Sequence, residues 1–469
     1  MNTRSLFVDA FREAGRTASF SLAVPGDGRR RLAAGWLALA IGALLASGLY
    51  SVLLVLSRAP YVKDVFPLVD FFRVALVVHV DLSVLVWFAA FAGLLWSLHG
   101  GPRLLWLGWA GLAGAAAGTL GLIAAPFAGG GTALMSNYIP VLDGGLFLRS
   151  LALFGVSCGL LVLRALAAAP RVGTRPDGAA ALRFGLNAAA VSAAVALLAF
   201  AWSYAEVPHE VERKAYFEVL FWGGGHVLQF TWTLLMFVAW LGLADAIGAR
   251  NPLSPRIAIL LFAIALASVF ATPVIYLAHD VVSVEHYRTQ TWLMRVGGGL
   301  AIVPFGLAVF HSLLFSPPAD AGRRPLKSAL LWSVLLFGAG GLIGMAIHGS
   351  NVKIPAHYHG SIVGVTLAFM GVVYYLLPRM GFARVEGRLA VLQPALYGGG
   401  QLLHIAGLLW SGGYGVQRKV AGAEQVLRTP EQVLGMGLMG LGGLLAVCGG
   451  IVFAAVVLRS IWTSSTSRR

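Results

Sequence analysis

Long apolar runs recur along the chain from Leu32 to the C-terminus, and short polar connections separate them. A run of about 20 apolar residues is long enough to cross the hydrocarbon core of a bilayer as a helix. Hydropathy predicts about twelve such spans, near residues 32–56, 72–98, 103–126, 145–168, 181–204, 216–247, 256–282, 290–316, 327–348, 356–378, 390–411 and 433–459. The predicted fold class is an all-α polytopic membrane protein.

The composition agrees with this class. Hydrophobic residues make up 58% of the chain and charged residues 11%, which is roughly half the charged fraction of a soluble domain. Glycine is abundant, with 59 residues, and small residues let membrane helices approach closely. In a chain of this kind the net charge of +15 reflects cytoplasmic basic loops. We therefore expect the lipid bilayer, and no nucleic acid, as a partner.

Basic residues concentrate in alternate connections, which should lie in the cytoplasm. Examples are Arg29 to Arg31, Arg171 and Arg175, Arg323 and Arg324, and Arg379. With an even number of spans, this pattern places both termini in the cytoplasm. The predicted domains are a cytoplasmic N-terminal segment (1–31), a membrane domain (32–459) and a cytoplasmic tail (460–469).

Five histidines on four predicted spans fall at a similar depth, near the outer face. They are His79, His226, His279, His357 and His359. Two residues on a helix that are two positions apart point to nearly opposite sides, because each residue turns about 100°. The tenth span could therefore serve two metal centres. Imidazole is a common ligand of haem, copper and iron, so the sequence predicts a metal cluster within the bundle.

The stretch Pro355–Gly360, with His79 in the second span and His226 in the sixth, resembles the catalytic subunit I of the haem-copper oxidase superfamily. The resemblance covers essentially the whole chain. Phe72-Arg73 ahead of His79, and the stretch Phe221–His226, most resemble nitric oxide reductases and the related C-family oxidases. The resemblance implies a multi-pass protein of the bacterial or archaeal cell inner membrane.

The resemblance also implies a set of ligands. His79 and His359 would be the axial pair of a low-spin haem, His357 the proximal ligand of a high-spin haem, and His226 a ligand of a non-haem metal. Basic side chains would meet the haem propionates, namely Arg73, Arg418 and Lys419. The two cysteines form no haem-attachment motif, so both haems, expected to be b-type, would be held without covalent linkage.

One departure from the family lies at the outer end of the seventh span. The family has two adjacent histidines there as ligands of the non-haem metal, and this chain has His279-Asp280. The resemblance is thus to S-type or other atypical nitric oxide reductases. A carboxylate from Asp280 favours iron over copper, although copper stays open. An alternative ligand pair is Glu285-His286, which we expect in an outer loop.

A second departure concerns tyrosine. Most oxygen reductases of this superfamily carry a redox-active tyrosine, often one turn after the histidine of the sixth span. That position here is Phe230, and Tyr276 is the nearby substitute. Reduction of O2 needs four electrons at once, whereas coupling two NO molecules needs two. Both departures favour NO reduction.

The sequence therefore predicts a nitric oxide reductase catalytic subunit that reduces two NO to N2O and water. Protons are expected from the outer side through Glu218, Glu285 or Asp280. The electron donor would be a partner subunit with a cupredoxin-like or cytochrome c domain. Three alternatives stay open: a terminal oxygen reductase that uses Tyr276, a haem sensor, and a transporter without haem. The other histidines are expected to be structural or solvated, namely His99, His209, His286, His311 and His404.

Overall fold

The computed structural model describes residues 19–56, 58–61, 69–129, 131–208, 210–250, 252–420 and 424–466. Three parts of the predictions lie outside the described residues: residues 1–18 of the N-terminal segment, residues 467–469 of the tail, and His209. The described chain is almost entirely helical. A single small sheet pairs β1 (Thr132–Leu134) with β2 (Val141–Asp143).

The described part of the chain contains fifteen α-helices. They are α1 (Gly28–Leu56), α2 (Val69–Val80), α3 (Trp87–His99), α4 (Leu105–Ala124), α5 (Gly145–Ala167), α6 (Gly178–Glu206), α7 (Arg213–Ala246), α8 (Pro255–Val269), α9 (Ala271–Ala278), α10 (Val284–Leu293), α11 (Gly299–Leu314), α12 (Arg324–Met345), α13 (Lys353–Arg379), α14 (Arg388–Gly413) and α15 (Pro430–Thr466). Two π-helical turns, Asp81–Val86 and Met294–Gly298, join α2 to α3 and α10 to α11.

Within the described residues, eleven helical segments are long and apolar enough to cross a membrane. The remaining predicted span, near residues 390–411, corresponds to α14, which has 26 residues. This helix is less apolar than the other spans because its sequence contains polar residues. Several of them are buried, among them Gln393, Gln401 and His404. The structure confirms the predicted all-helical, polytopic membrane architecture.

The chain forms two compact units. The first unit comprises the residues up to Leu39, Phe88–Leu122 and Ser136–Pro317, and the second comprises Ala40–Trp87, Ile123–Met135 and Pro318–Arg469. One helix of each unit is far more buried than most others. In both α7 and α13, 83% of the most apolar window is buried. These helices carry His226 and the pair His357 and His359, so rigid, well-packed elements hold the candidate ligands.

Glycines bring α12 and α13 into close contact. A Cβ atom added to Gly340 would lie 2.7 Å from the carbonyl carbon of Gly360, and one added to Gly364 would lie 2.7 Å from Cβ of Phe337. This approach places the carbonyl oxygen of Gly340 2.7 Å from Nδ1 of His357. The close packing of the two helices therefore fixes the orientation of a candidate haem ligand.

We predict that Gly340→Leu destabilises the protein and that Gly338→Leu does not. Gly340 has no space for a side chain, and overpacking costs about 1–3 kcal/mol of stability. Gly338 lies on the same helix with nothing within 4 Å of its added Cβ. Thermal unfolding of the detergent-solubilised variants should show a lower midpoint for Gly340→Leu alone. Equal midpoints would mean that the contact between α12 and α13 adapts without strain.

Candidate functional site

In the first unit, His226 is a buried residue of α7 with both ring nitrogens engaged. Its Nδ1 lies 2.8 Å from the carbonyl oxygen of Trp222, one turn earlier. A carbonyl can only accept, so Nδ1 carries the proton and Nε2 keeps its lone pair. The hydroxyl of Tyr138 lies 3.0 Å from Nε2 and donates to it. Sequence analysis missed Tyr138 because it comes from a connection between helices.

Three consecutive glycines, Gly223 to Gly225, precede His226. Because they have no side chains, three aromatic rings can pack directly against this turn of α7. A Cβ atom at Gly225 would lie 2.6 Å from Cδ1 of Tyr138, and one at Gly223 would lie 2.9 Å from Cε2 of Tyr276. A Cβ atom at Gly224 would meet the ring of Phe200 in the same way. The three glycines thus make room for the aromatic residues around the candidate metal ligand.

Glu218 lies on α7 two turns before His226. Its carboxylate accepts the backbone N–H of Asn137 at 3.0 Å and the side-chain amide of Asn137 at 2.5 Å. Asn137 directly precedes Tyr138, so two successive residues attach one connection to Glu218 and His226. This carboxylate is therefore held by two hydrogen bonds in the first unit.

Tyr276 is buried on α9, where its hydroxyl lies 2.7 Å from the hydroxyl of Ser203 and 3.1 Å from the carbonyl oxygen of Ala199. Its ring packs edge-on against the imidazole of His286, with 4.7 Å between the centroids. Tyr276 is not hydrogen-bonded to a histidine in the described part of the chain. It stands beside the candidate site through its contact with His286.

The position of His286 differs from the one that the sequence predicted. Sequence analysis placed it in an outer loop as a structural or solvated residue, but the structure buries it in the first turn of α10, with 1% of its surface exposed. It interacts electrostatically with both His226 and His279. Its Nδ1 and both amide atoms of Gln290, one turn later, are buried without a hydrogen-bond partner among the described residues. Unpaired polar atoms in a core are uncommon and mark this spot as one suited to a polar ligand.

Asp280 and Glu285 are exposed. The carboxylate of Asp280 accepts the backbone N–H of Val282 at 3.1 Å, and the hydroxyl of Ser283 donates to the carbonyl oxygen of Asp280 at 2.6 Å. Asp280 thus stabilises the turn between α9 and α10. His279 directly follows α9 with an extended backbone. No group of three His, Cys, Asp or Glu residues in the described ranges is close enough to hold a metal ion.

In the second unit, His79 and His357 have the hydrogen-bonding pattern of haem ligands. Nδ1 of His79 lies 3.0 Å from the carbonyl oxygen of Ser47, and Nδ1 of His357 lies 2.7 Å from that of Gly340. Each Nδ1 is therefore the donor, and each Nε2 keeps the lone pair that binds iron. Both residues fit the roles that the sequence predicted for them.

His359, the other predicted axial ligand, has an unexpected neighbour. Its ring packs against that of His404 on α14, with 4.6 Å between the centroids. The sequence predicted only that His404 is structural or solvated, and did not anticipate its contact with His359. A polar pair three residues apart in an apolar helix, Gln401 and His404, was the available signal.

The second unit contains the three basic residues that the resemblance assigns to the haem propionates, and also Arg58. Arg73 forms an ion pair with Glu424 at 2.7 Å, and Nζ of Lys419 donates to the carbonyl oxygen of Met135 at 2.5 Å. Arg418 is half-buried beside Lys419. Sequence analysis missed Arg58, whose Nε donates to Gln425 at 2.9 Å and whose charge interacts with His359 and His404. Burial lowers the pKa of Arg58 to about 10, which still leaves it protonated at neutral pH.

Comparison with known proteins identifies the family. Residues 31–446 match the family described as cytochrome c and quinol oxidase polypeptide I. A Rickettsia prowazekii protein, the uncharacterised RP382, is 29% identical over 91% of this chain and 95% of its own length. An uncharacterised protein of Aquifex aeolicus is 27% identical over 75% of this chain and 86% of its own length.

A solved cryo-EM structure of a heme-copper terminal oxidase dimer shares the fold. Its TM-score is 0.69 at 16% identity, over 94% of this chain and 84% of that chain. The family match covers most of the sequence, and the described helices agree with it. The protein is therefore a multi-pass member of the cytochrome c and quinol oxidase polypeptide I family, the subunit I of the haem-copper oxidase superfamily and a haem-dependent oxidoreductase.

Proposed function

We propose that this subunit catalyses the reduction of nitric oxide. One observation carries the proposal: the position one turn after His226 is Phe230, which packs in an apolar cluster with Val195, Val227 and Val269. Phenylalanine can give neither a proton nor an electron. Two NO molecules, two electrons and two protons yield N2O and water, whereas reduction of O2 to water takes four electrons. A site without a phenol at this position suits the two-electron reaction.

The proposed ligand assignment follows the resemblance. His79 and His359 would hold a low-spin haem, His357 a high-spin haem, and His226 the non-haem metal. Once bound, these groups would supply electrons and Lewis acidity for charge that develops on the N–O bond. The backbone carbonyls of Ser47, Gly340 and Trp222 accept the Nδ1 protons and so orient the imidazoles. Loss of such a hydrogen bond to a ligating histidine typically lowers metal affinity by about 10–100-fold.

For the second ligand of the non-haem metal, the contacts favour His286 over Asp280. His286 is buried, interacts with His226 and His279, and keeps an unpaired Nδ1. The Asp280 carboxylate is exposed and accepts a bond from its own turn. We propose His286 as the ligand. This leaves iron and copper open, because imidazole serves both metals.

Protons would reach the site from the outer side. Glu218 is the best-placed carrier, because its carboxylate is bonded to Asn137, whose neighbour Tyr138 is bonded to His226. Glu285 is exposed at the start of α10 and could take protons from water. Electrons would come from a partner subunit with a cupredoxin-like or cytochrome c domain, at the inner membrane of a bacterium or archaeon.

A second candidate function is terminal oxygen reduction. Tyr138 favours it, because its phenol is the hydroxyl bonded to Nε2 of His226. Tyr276 is a further phenol beside His286. In this alternative one of the two tyrosines would supply the fourth electron and a proton.

We predict fast NO consumption with N2O formed, and slow O2 uptake, when the purified, reduced complex is given each gas separately. The two-electron chemistry needs no phenol, so Tyr138→Phe and Tyr276→Phe should keep NO turnover. Electrode traces and headspace analysis of N2O provide the measurement. Fast O2 uptake that disappears in Tyr138→Phe or Tyr276→Phe would instead establish the oxygen reductase.

We predict that His226→Ala and His286→Ala lose the non-haem metal, while Asp280→Asn keeps it. Removing one ligand from a site of few ligands leaves too little affinity to survive purification. The exposed His311→Ala is the matched control and should keep full metal content. Elemental analysis of iron and copper against haem gives the ratio. Metal loss in Asp280→Asn with retention in His286→Ala would restore the carboxylate assignment.

We predict that Glu218→Gln slows NO turnover while its haem spectra stay unchanged. Glutamine still accepts a hydrogen bond from Asn137 but cannot carry a proton, and a positioned acid or base contributes about 10²–10⁴-fold to rate. Glu285→Gln provides a comparison on an exposed carboxylate. Stopped-flow measurement of NO loss tests the effect. Unchanged rates in both variants would rule out this entry route.

A further inference from the structure

His404 is a buried polar residue of the second unit, on α14, to which the proposed function gives no role. Only 7% of its surface is exposed. Its ring lies 4.6 Å, centroid to centroid, from that of His359, at an interplanar angle of 59°. It also interacts electrostatically with His79. Three imidazoles therefore share the place where the proposed low-spin haem needs two.

His404 is in the tautomer that binds metal. Its Nδ1 lies 2.8 Å from the carbonyl oxygen of Met439 on α15. Because the carbonyl can only accept, Nδ1 carries the proton, and the lone pair is on Nε2. The same arrangement orients His79 through Ser47. A backbone carbonyl that binds Nδ1–H is the usual outer-shell partner of a ligating histidine.

The helix contact on the other side of His404 keeps the ring in place. A Cβ atom at Gly443 would lie 3.2 Å from Nδ1 of His404. This glycine lets α15 come close enough to present the carbonyl oxygen of Met439. The ring of His404 is thus held from one side and packed against His359 on the other.

The hydrogen-bond partner of His359, in contrast, is a side chain. Gln401, one turn before His404 on α14, forms a hydrogen bond with the ring of His359. The Oε1 atom of Gln401 is buried without a hydrogen-bond partner among the described residues, so this amide leaves an unsatisfied polar atom beside the two rings. His359 is thus bonded to a side chain, whereas the Nδ1 of its neighbour His404 is bonded to a backbone carbonyl, which places the lone pair of His404 on Nε2.

We propose that His404 is an exchangeable axial ligand, which can take the place of His359 opposite His79 on the low-spin haem. The inference rests on the proposed haem site of the second unit. Exchange of the two ligands needs only a local movement, because the two rings already pack against each other. Both states are bis-imidazole, so no ligand of another chemical type is involved.

The test replaces His359 by methionine, which keeps most of the side-chain volume and brings a thioether. Near-infrared magnetic circular dichroism and EPR of the oxidised protein distinguish bis-imidazole from imidazole–thioether ligation. With exchange, His359→Met keeps the bis-imidazole signal because His404 ligates. The double variant His359→Met/His404→Leu then loses that signal. His311→Ala serves as the control and keeps the wild-type spectrum.

An imidazole–thioether signal in His359→Met, or loss of the low-spin haem in that variant, would overturn the proposal. If His359→Met is not recovered from membranes, His359→Gln answers the same question, since glutamine can still bond Gln401 but does not bind haem iron. Retention of a bis-imidazole haem in His359→Gln supports exchange, and its loss overturns it. A wild-type protein without any bis-imidazole haem would instead refute the proposed haem site itself.

Discussion

Hydrogen bonds from histidine to backbone carbonyls are the interaction on which the candidate sites depend. His79, His226, His357 and His404 each place Nδ1 within 3.0 Å of a carbonyl oxygen, those of Ser47, Trp222, Gly340 and Met439. In a low-dielectric bundle a neutral ring with one satisfied nitrogen is tolerated where a charged ring is not. The carbonyls fix the tautomer and the ring orientation, and the low-dielectric surroundings favour the neutral ring. A histidine so held is ready to bind metal.

Close helix contacts make these bonds possible, and glycine makes the contacts possible. The carbonyl oxygen of Gly340 reaches His357 because α12 and α13 touch at Gly340 and Gly360. The carbonyl oxygen of Met439 reaches His404 beside Gly443. Lipid offers no hydrophobic drive between helices, so close packing of small residues supplies much of the association. The abundance of glycine in the sequence therefore has a direct consequence for the candidate ligands.

The sequence predicted the spans well, because a run of apolar residues is a local property. His79, His226 and His357 lie within the helices that correspond to their predicted spans, while their roles as ligands stay predictions. Sequence analysis failed where a helix end or a contact between distant segments decides the outcome. The seventh span ends at Ala278 rather than at residue 282, which leaves Asp280 in a turn. The eighth begins at Val284 rather than at residue 290, which carries His286 into a buried helical turn.

Two other residues escaped prediction because their partners are far away in the chain. Tyr138 reaches His226 across 88 positions, and His404 meets Met439 across 35. No periodicity in the sequence encodes such pairings. The rotation of α14 about its axis, which turns Gln401 and His404 toward His359, depends on packing against α13 and α15. A polar pair in an apolar helix indicates only that some partner exists.

The packing of Phe230 bears on the choice between NO and O2. Phe230 lies in an apolar cluster with Val195, Val227 and Val269, where a tyrosine hydroxyl would be buried without a partner, at a cost of roughly 1–3 kcal/mol. The absence of tyrosine at this position is therefore a property of the whole cluster rather than of one side chain. A phenol can reach His226 only from outside α7, and Tyr138 does so. Its hydroxyl donates to Nε2, the same atom that a metal would take. Because one lone pair cannot serve both, Tyr138 would have to release Nε2 for His226 to hold the proposed metal, and its phenol would then be free to donate to another group.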